Sequence, residues 1–415
     1  MSEHPASGAA CDELIRPGPE QARLALAALG LPAMVSLRRI ESGHINESFC
    51  VLVDGRPLYL LQWLNHHVFP DADAVQENVE RVLAHLAIAG APHPHPVPAA
   101  NGALHLRTDT GLWRAFAWLA DHDTLLRPDH ALRARSAGEA LGATLRVLSE
   151  LDATEVRPVM QGFHDLRGRL LALDAAVAQA DAPRLAAARD WLARVDEKRR
   201  SAPDAAQTRS PLRVLHGDPK FSNFMFPGAG SAGASARHAS ALDTETADFS
   251  AQGSSPQDFN AQQLGSGAAW SRALTPSAVL VDWDTVMVGP LQWDFGDFLR
   301  SAASRGNEDA PADADVDEGL LLAAADGFVR GLAESIDADT ARALAAAPAH
   351  MAFMLAVRFL TDFLDGDRYF RVRRPGQNLD RVATQLTLAD AFSCAETQLA
   401  EQILRSAAPT PPEPS

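Results

Sequence analysis

Residues 214–226 read VLHGDPKFSNFMF. An apolar strand delivers His216, Gly217 and Asp218. Lys220 falls two residues after the aspartate and Asn223 five after it. Phosphoryl transfer needs a group that orients or deprotonates the attacking hydroxyl, a cation near the moving phosphoryl group, and a metal ligand. Asp218, Lys220 and Asn223 supply these three from one short loop. The plainer reading is a polar turn after a buried strand. It loses ground because a second element of the same chemistry follows.

That second element is AVLVDWDTVMVGPLQWDFGDF, residues 278–298. Residues 278–281 are apolar and run straight into Asp282, with Asp284 two positions further on. An extended chain would send both carboxylates to one side. Hard oxygen donors of this kind suit magnesium, so Asn223, Asp282 and Asp284 are the candidate metal ligands. The letters D-F-G at 294–296 invite the same role for Asp294, because that triplet supplies a magnesium aspartate in protein kinases. Their context argues otherwise. Asp294 opens a helical pattern, where an aspartate caps amide groups, and it is expected to brace the loop of Asp218 rather than hold metal.

The flanking elements divide the chain into two parts. A short helix ends near Gly30. Strands follow over 36–64, with Asp54–Gly55 a strong hairpin signal. A helix over 71–90 presents Val75, Val79, Val82, Leu83 and Leu86 on one face. Two more strands surround Thr110–Gly111. From about Asp121 the pattern becomes helical, over 131–151, 166–200, 318–335, 340–364 and 379–405. Two short strands, ending at His216 and Asp282, interrupt it. The expected architecture is α+β: a small antiparallel sheet lobe with one helix over 20–120, and a larger, mostly helical lobe over 121–405. Residues 228–277 are rich in Gly, Ser and Ala and lack apolar periodicity, so they are expected to be a disordered insertion.

Composition narrows the classes. A net charge of −16 argues against general nucleic-acid binding. Three widely spaced cysteines, Cys11, Cys50 and Cys394, point to neither a disulfide framework nor a zinc site. The N-terminal residues lack the pattern of a secretory signal. No run of 18 uncharged apolar residues is present, and a cytoplasmic protein that does not span a membrane is expected. The histidine pairs His66–His67 and His93–His95 have no neighbouring ligand cluster in the sequence.

The Asp218–Asn223 spacing matches the catalytic loop of kinases. The N-terminal strands then fit a nucleotide-covering lobe, with two departures. The turn ESGHINESF replaces a glycine-rich loop, and Gln62 stands where the third strand normally carries a lysine that pairs the nucleotide phosphates. Glutamine brings no charge. Its helix partner would be Glu77 or Glu80, and the sequence does not choose between them.

Taken together, SGHINESF, YLLQWLNHHVFPDADAVQENVERVLAHL, HGDPKFSN, VDWDTVMVGPLQWDFGDFLR and VRFLTDFLDGDRYFRV resemble the aminoglycoside phosphotransferase and choline kinase-like superfamily. Within it, they look most like the N-acetylhexosamine 1-kinases. The resemblance runs from about Val35 to Leu399 apart from the insertion. It implies a bilobal protein-kinase-like fold, ATP, magnesium and transfer to the anomeric hydroxyl of a sugar. Asp218 would then orient that hydroxyl, and Asn223 and Asp282 would hold magnesium. Gly43, Asn46, Gln62 and Leu119 fall at nucleotide-contacting positions, and His44, Arg358 and Tyr369 at sugar-contacting ones. Other acceptors, such as an aminoglycoside, a choline-like amine or an amino-acid hydroxyl, keep the same chemistry. A regulatory pseudokinase would be supported only by the missing lysine, and the intact Asp218, Asn223 and Asp282 oppose it.

Overall fold

The structure is a computed structural model that describes residues 16–32, 35–41, 45–201, 210–228 and 278–408. Gly43, His44 and nearly all of the expected insertion at 228–277 lie outside the described residues. The chain divides into two compact units, 1–80 with 94–120, and 81–93 with 121–415.

The first unit holds a helix, α1 (Pro19–Leu29), and five antiparallel strands: β1 (Ser36–Ile40), β2 (Glu47–Val53), β3 (Arg56–Leu64), β4 (Leu106–Thr108) and β5 (Gly111–Ala117). Their order in the sheet is β1-β2-β3-β5-β4. Asp54 and Gly55 make the β2–β3 hairpin turn, both at positive φ as a type I′ turn requires. Side chains alternate between faces along each strand. One face gathers Phe49, Val51, Leu61, Trp63, Trp113 and Ala115 into a core with Ala22, Ala25, Leu26 and Leu29 of α1. The other face carries a cross-strand row: Ser48 opposite Gln62, and Gln62 opposite Arg114. The division between units falls within α2 (Ala72–Ile88).

The second unit is mostly helical: α3 (Ala131–Leu148), α4 (Leu166–Gln179), α5 (Ala182–Ser201), α6 (Gln292–Ala303), α7 (Glu318–Leu332), α8 (Ala338–Leu364) and α9 (Gln377–Ala407). The single helix expected over 166–200 is two. The break comes at Asp181, whose carboxylate accepts from the Arg184 amide at 2.8 Å, with Pro183 two positions on. That is a helix start written into the middle of an apolar pattern.

Small sheet fragments thread between the helices. β6 (His122–Thr124), β8 (Phe224–Pro227) and β9 (Val279–Leu280) form one ladder, and β7 (Leu212–Leu215) pairs with β10 (Met287–Pro290). β11 (Ser304–Arg305) pairs with β12 (Asp315–Val316). Only β7 and β9 were legible as strands, through the apolar runs that lead into His216 and Asp282. The α8 helix has the length and apolar composition of a membrane span, but 72% of its most apolar stretch is buried inside this unit, so it is a core helix.

The closest helix contact joins α3 and α7. A Cβ added at Gly138 would lie 2.2 Å from the Ala324 carbonyl oxygen, and one at Gly142 would lie 2.1 Å from that of Phe328. The reciprocal pair, Gly327 and Gly331, meets the carbonyls of Arg135 and Glu139 at 1.9 and 2.1 Å. Backbone touches backbone, and α7 is thereby fixed where Phe328 can pack on Phe295 of α6, ring centroids 4.7 Å apart. Because the obstructing atoms are backbone, an alanine methyl has nowhere to go. Gly327→Ala is expected to cost at least the roughly 1–3 kcal/mol typical of overpacking. Urea unfolding should show a lowered midpoint, and an unchanged midpoint would mean that the helices are free to separate.

Candidate active site

The sequence VLHGD makes β7 and then a loop whose shape depends on Gly217. Its φ is +87°, and a Cβ there would lie 2.2 Å from the Thr285 carbonyl oxygen, so only glycine fits. His216 is fully buried. Its Nε2 lies 3.1 Å from the Val281 carbonyl oxygen, and its Nδ1 lies 3.3 Å from the Asp218 amide nitrogen. A carbonyl only accepts and an amide N–H only donates, so the ring is neutral with its proton on Nε2. Burial drives its pKa down to about 4. The Thr285 hydroxyl donates to the His216 carbonyl oxygen at 2.9 Å.

Asp294 completes this scaffold. Its two carboxylate oxygens accept the amide N–H groups of His216 and Gly217 at 2.8 and 2.9 Å, and it is fully buried. Asp294 therefore braces the loop as expected, but it does not cap its helix. α6 begins at Gln292, and the Asp294 side chain points away from its own first turn to the amides of the loop. Burial pushes its pKa up to about 7 against the pull of those two hydrogen bonds, with Asp297 and Asp218 adding repulsion. Two further groups on the same helix face went unnoticed in the sequence. Asp297 bonds Arg300 at 2.9 Å, and the Ser301 hydroxyl accepts the Phe221 amide at 2.8 Å. The spacing of Asp294, Asp297 and Ser301, three and then four residues, was the available signal.

On the loop itself, Lys220 Nζ lies 2.5 Å from Asp218 Oδ2, and both side chains are partly exposed. Burial opposes the charge on Lys220, but Asp218, Asp282 and Asp297 outweigh it and raise the lysine above its ordinary value. Lys220 is thus a permanent cation rather than a base. Asn223 is buried and donates through Nδ2 to the Asp218 carbonyl oxygen at 2.8 Å. That bond fixes the amide and turns Oδ1, the atom that could bind a metal, the other way. Burial would raise Asp297, but Arg300, by charge and by hydrogen bond, leads the groups that outweigh it and lower the carboxyl below its ordinary value.

Asp282 and Asp284 differ from the extended arrangement expected. Asp282 sits at φ 69°, ψ 59°, and residues 283–285 form one tight helical turn. The left-handed step sends the two carboxylates to different environments. Asp282 is exposed, and Asp284 is buried near His216. No group of three His, Cys, Asp or Glu able to hold a metal occurs among the described residues. Magnesium in phosphoryl-transfer sites relies on one or two protein carboxylates together with substrate phosphates. The oxygens of Asn223 and Asp282 could serve in that mode, and Asp284 is the buried carboxylate of the pair.

Arg358, on α8, lies over three rings: Phe163 at 4.8 Å, Phe370 at 5.4 Å and Tyr369 at 5.8 Å. Tyr369 is 59% exposed, and its loop is held by Asp362, a residue with no assigned role in the sequence reading. Asp362 accepts the amides of Arg368, Tyr369 and Phe370 at 2.9, 2.7 and 3.0 Å and the Asn378 side chain at 2.8 Å. Next to Phe163, buried His164 lies 2.7 Å through Nε2 from the Gly217 carbonyl oxygen. The Arg358 cluster is thereby tied to the loop of Asp218. Burial takes His164 down to about 4 as well.

In the first unit, the amide oxygen of Asn46 accepts the Asn65 backbone N–H at 3.1 Å, and Leu119 is half-buried just past β5. Gln62 pairs with Ser48 and Arg114 among the described residues, rather than with a helix glutamate.

The sequence profile of the phosphotransferase enzyme family, APH, matches residues 36–234, just under half of the chain. The expected small-molecule phosphotransferase class agrees with that match. The whole fold resembles solved structures. An amicoumacin kinase, hAmiN, in complex with AMP-PNP, Ca2+ and Ami aligns with TM-score 0.53 and 11% identity, covering 94% of both chains. An aminoglycoside phosphotransferase from Alicyclobacillus acidocaldarius aligns with TM-score 0.52 and 16% identity, over 92% of this chain and 96% of that one. A microcompartment-associated aminopropanol kinase reaches 0.50 at 14% identity, over 92% and 98%. These likenesses bear out the expected kinase-like α+β fold.

The buried histidines give a pH prediction. Both titrate near 4 in the folded chain and near 6.5 when exposed. Their stabilisation is present above about pH 6.5 and is lost as pH falls through about 4. Asp294, raised to about 7, runs the other way: its contribution is present below its ordinary 3.8 and fades as pH rises through 7. A difference measurement separates them. Between about pH 7 and pH 5, wild type should lose about 2 kcal/mol more stability than His164→Gln. Parallel denaturation curves at both pH values would remove His164 from the account.

Proposed function

We propose that the chain is an ATP- and magnesium-dependent kinase that transfers the γ-phosphoryl group to a hydroxyl of a sugar, with the anomeric hydroxyl of an N-acetylhexosamine as the favoured acceptor. The observation that carries this reading is the loop 216–223, which sets a carboxylate, a fixed ammonium and an oriented amide side by side on a backbone pinned by Asp294. Asp218 orients the acceptor hydroxyl and takes its proton as the new O–P bond forms and the bond to the leaving diphosphate breaks. Lys220, held protonated, offsets the negative charge gathering there. Asn223 and Asp282 would hold magnesium, which when bound neutralises phosphate charge. Asn46, Gln62 and Leu119 contact the nucleotide. The AMP-PNP in the amicoumacin kinase supports an adenine nucleotide.

The sugar assignment draws on the Arg358 cluster. A guanidinium among Phe163, Tyr369 and Phe370 offers ring faces and N–H donors. It repels a cationic amine and suits a neutral, hydroxyl-rich ring. Nucleotide consumption over a panel of N-acetylhexosamines, aminoglycosides and choline tests this directly. Turnover confined to the amines would overturn the sugar reading while leaving the kinase reading in place.

Two substitutions test the roles. Asp218→Asn should bind ATP normally and lose on the order of 10²–10⁴ in turnover; near wild-type rates would sink its assignment. Asp282→Asn, at an exposed position, should keep its melting temperature and require more magnesium for activity. A magnesium titration identical to wild type would exclude Asp282 as a ligand.

A further inference from the structure

The row Ser48–Gln62–Arg114 crosses three neighbouring strands on one face of the sheet. Arg114 is 2% exposed in a strand that otherwise reads as apolar. Its Nε and one terminal nitrogen donate to Gln62 Oε1 at 3.3 and 3.1 Å. Its other terminal nitrogen donates to Gln76 Oε1 at 3.3 Å. The Phe116 ring lies beneath, its centroid 5.2 Å from the guanidinium carbon.

A guanidinium has donors only. Both glutamines must therefore turn their oxygens towards it and their –NH2 groups away. The outward groups agree. Gln76 Nε2 donates to Glu80 Oε1 at 2.9 Å, and Gln62 Nε2 donates to Ser48 Oγ at 3.2 Å. His105 Nδ1 lies 3.0 Å from the same Glu80 oxygen. The result is one ordered chain of dipoles, Glu80–Gln76–Arg114–Gln62–Ser48, in which neither amide is free to flip. It also explains how a helix glutamate is linked to Gln62: Glu80 reaches it through Gln76 and Arg114.

We propose that Arg114 is a positioning residue for a nucleotide phosphate contact made by Gln62. The arginine locks the Gln62 amide with its –NH2 outward and polarises it, so the remaining N–H meets a phosphate oxygen as a strengthened donor. The positive charge that kinases place on the third strand is here one strand over, on β5, and acts through the amide. This rests on the reading of the chain as an ATP-dependent kinase.

The test is equilibrium binding of AMP-PNP and of adenosine to the full chain, for wild type, Gln62→Glu, Arg114→Met and the double variant Gln62→Lys/Arg114→Met. Gln62→Glu keeps an acceptor for Arg114, so the sheet should stay folded, but it removes the outward donor. It should weaken AMP-PNP binding about tenfold or more and leave adenosine unchanged. Arg114→Met should do the same. The double variant should recover AMP-PNP affinity, because a lysine at 62 then supplies the cation without facing an arginine. Equal losses for AMP-PNP and adenosine would show a structural role only and overturn the proposal. So would unchanged AMP-PNP affinity in Gln62→Glu, which decides the matter if Arg114→Met fails to fold. Wild type that binds neither ligand would overturn the kinase reading and this inference with it. Wild type that binds AMP-PNP beside indifferent variants would overturn this inference alone.

Discussion

The second unit turns on one carboxylate. Asp294 accepts the amides of His216 and Gly217 where the chain leaves β7, and without that carboxylate those buried N–H groups would lose their acceptor. An unsatisfied buried donor costs about 1–3 kcal/mol, so the loop is held by two such penalties at once. Three further ties make it rigid: His216 Nε2–H to the Val281 carbonyl, the Thr285 hydroxyl to the His216 carbonyl, and the Phe221 amide to Ser301. Each comes from a different segment of 281–301. The segment carrying Asp282 and the loop carrying Asp218 thus fix one another, and neither could shift alone.

Charge follows the same economy. Lys220 lies among Asp218, Asp282 and Asp297, and Asp297 has Arg300 as its own partner. Removing the lysine would leave carboxylates facing each other. Removing Asp297 would leave Arg300 buried without its bonded carboxylate. Such mutual neutralisation keeps groups ionised that burial would otherwise discharge. The two histidines take the opposite course. Each is neutral because its nitrogens are needed as one donor and one acceptor, or lie too deep to be hydrated.

Much of this was legible where it is local. The Asp218, Lys220 and Asn223 spacing lies within one loop, and Asp54–Gly55 codes its own turn, so sequence neighbours were also structural neighbours. Arg114 was not legible, because its meaning depends on strand register: only the pairing of β3 with β5 sets it opposite Gln62. The extended run expected through Asp282 failed because a left-handed residue there is a tertiary outcome that no apolar pattern encodes. The break at Asp181 was masked by alanines on both sides. The glycines of α3 and α7 carry no apolar signal, although four of them at matched spacing bring backbone against backbone.

The acceptor is the part that sequence serves least, for a physical reason. The groups proposed for phosphoryl transfer arise from one loop and the segment bonded to it, so their chemistry and spacing travel together. The groups proposed for the acceptor come from three separate places: Phe163 before α4, Arg358 within α8, and Tyr369 in the turn after it. One of them is set by Asp362, which collects three consecutive amides, that of Tyr369 among them, and thereby sets the direction of the Tyr369 loop. A carboxylate in that position fixes a loop of almost any side-chain composition. The side chains the loop presents can therefore change without disturbing the fold or the transfer site. In such an architecture the groups proposed for transfer are held by mutual bracing, while the side chains proposed for the acceptor are ones the bracing leaves free.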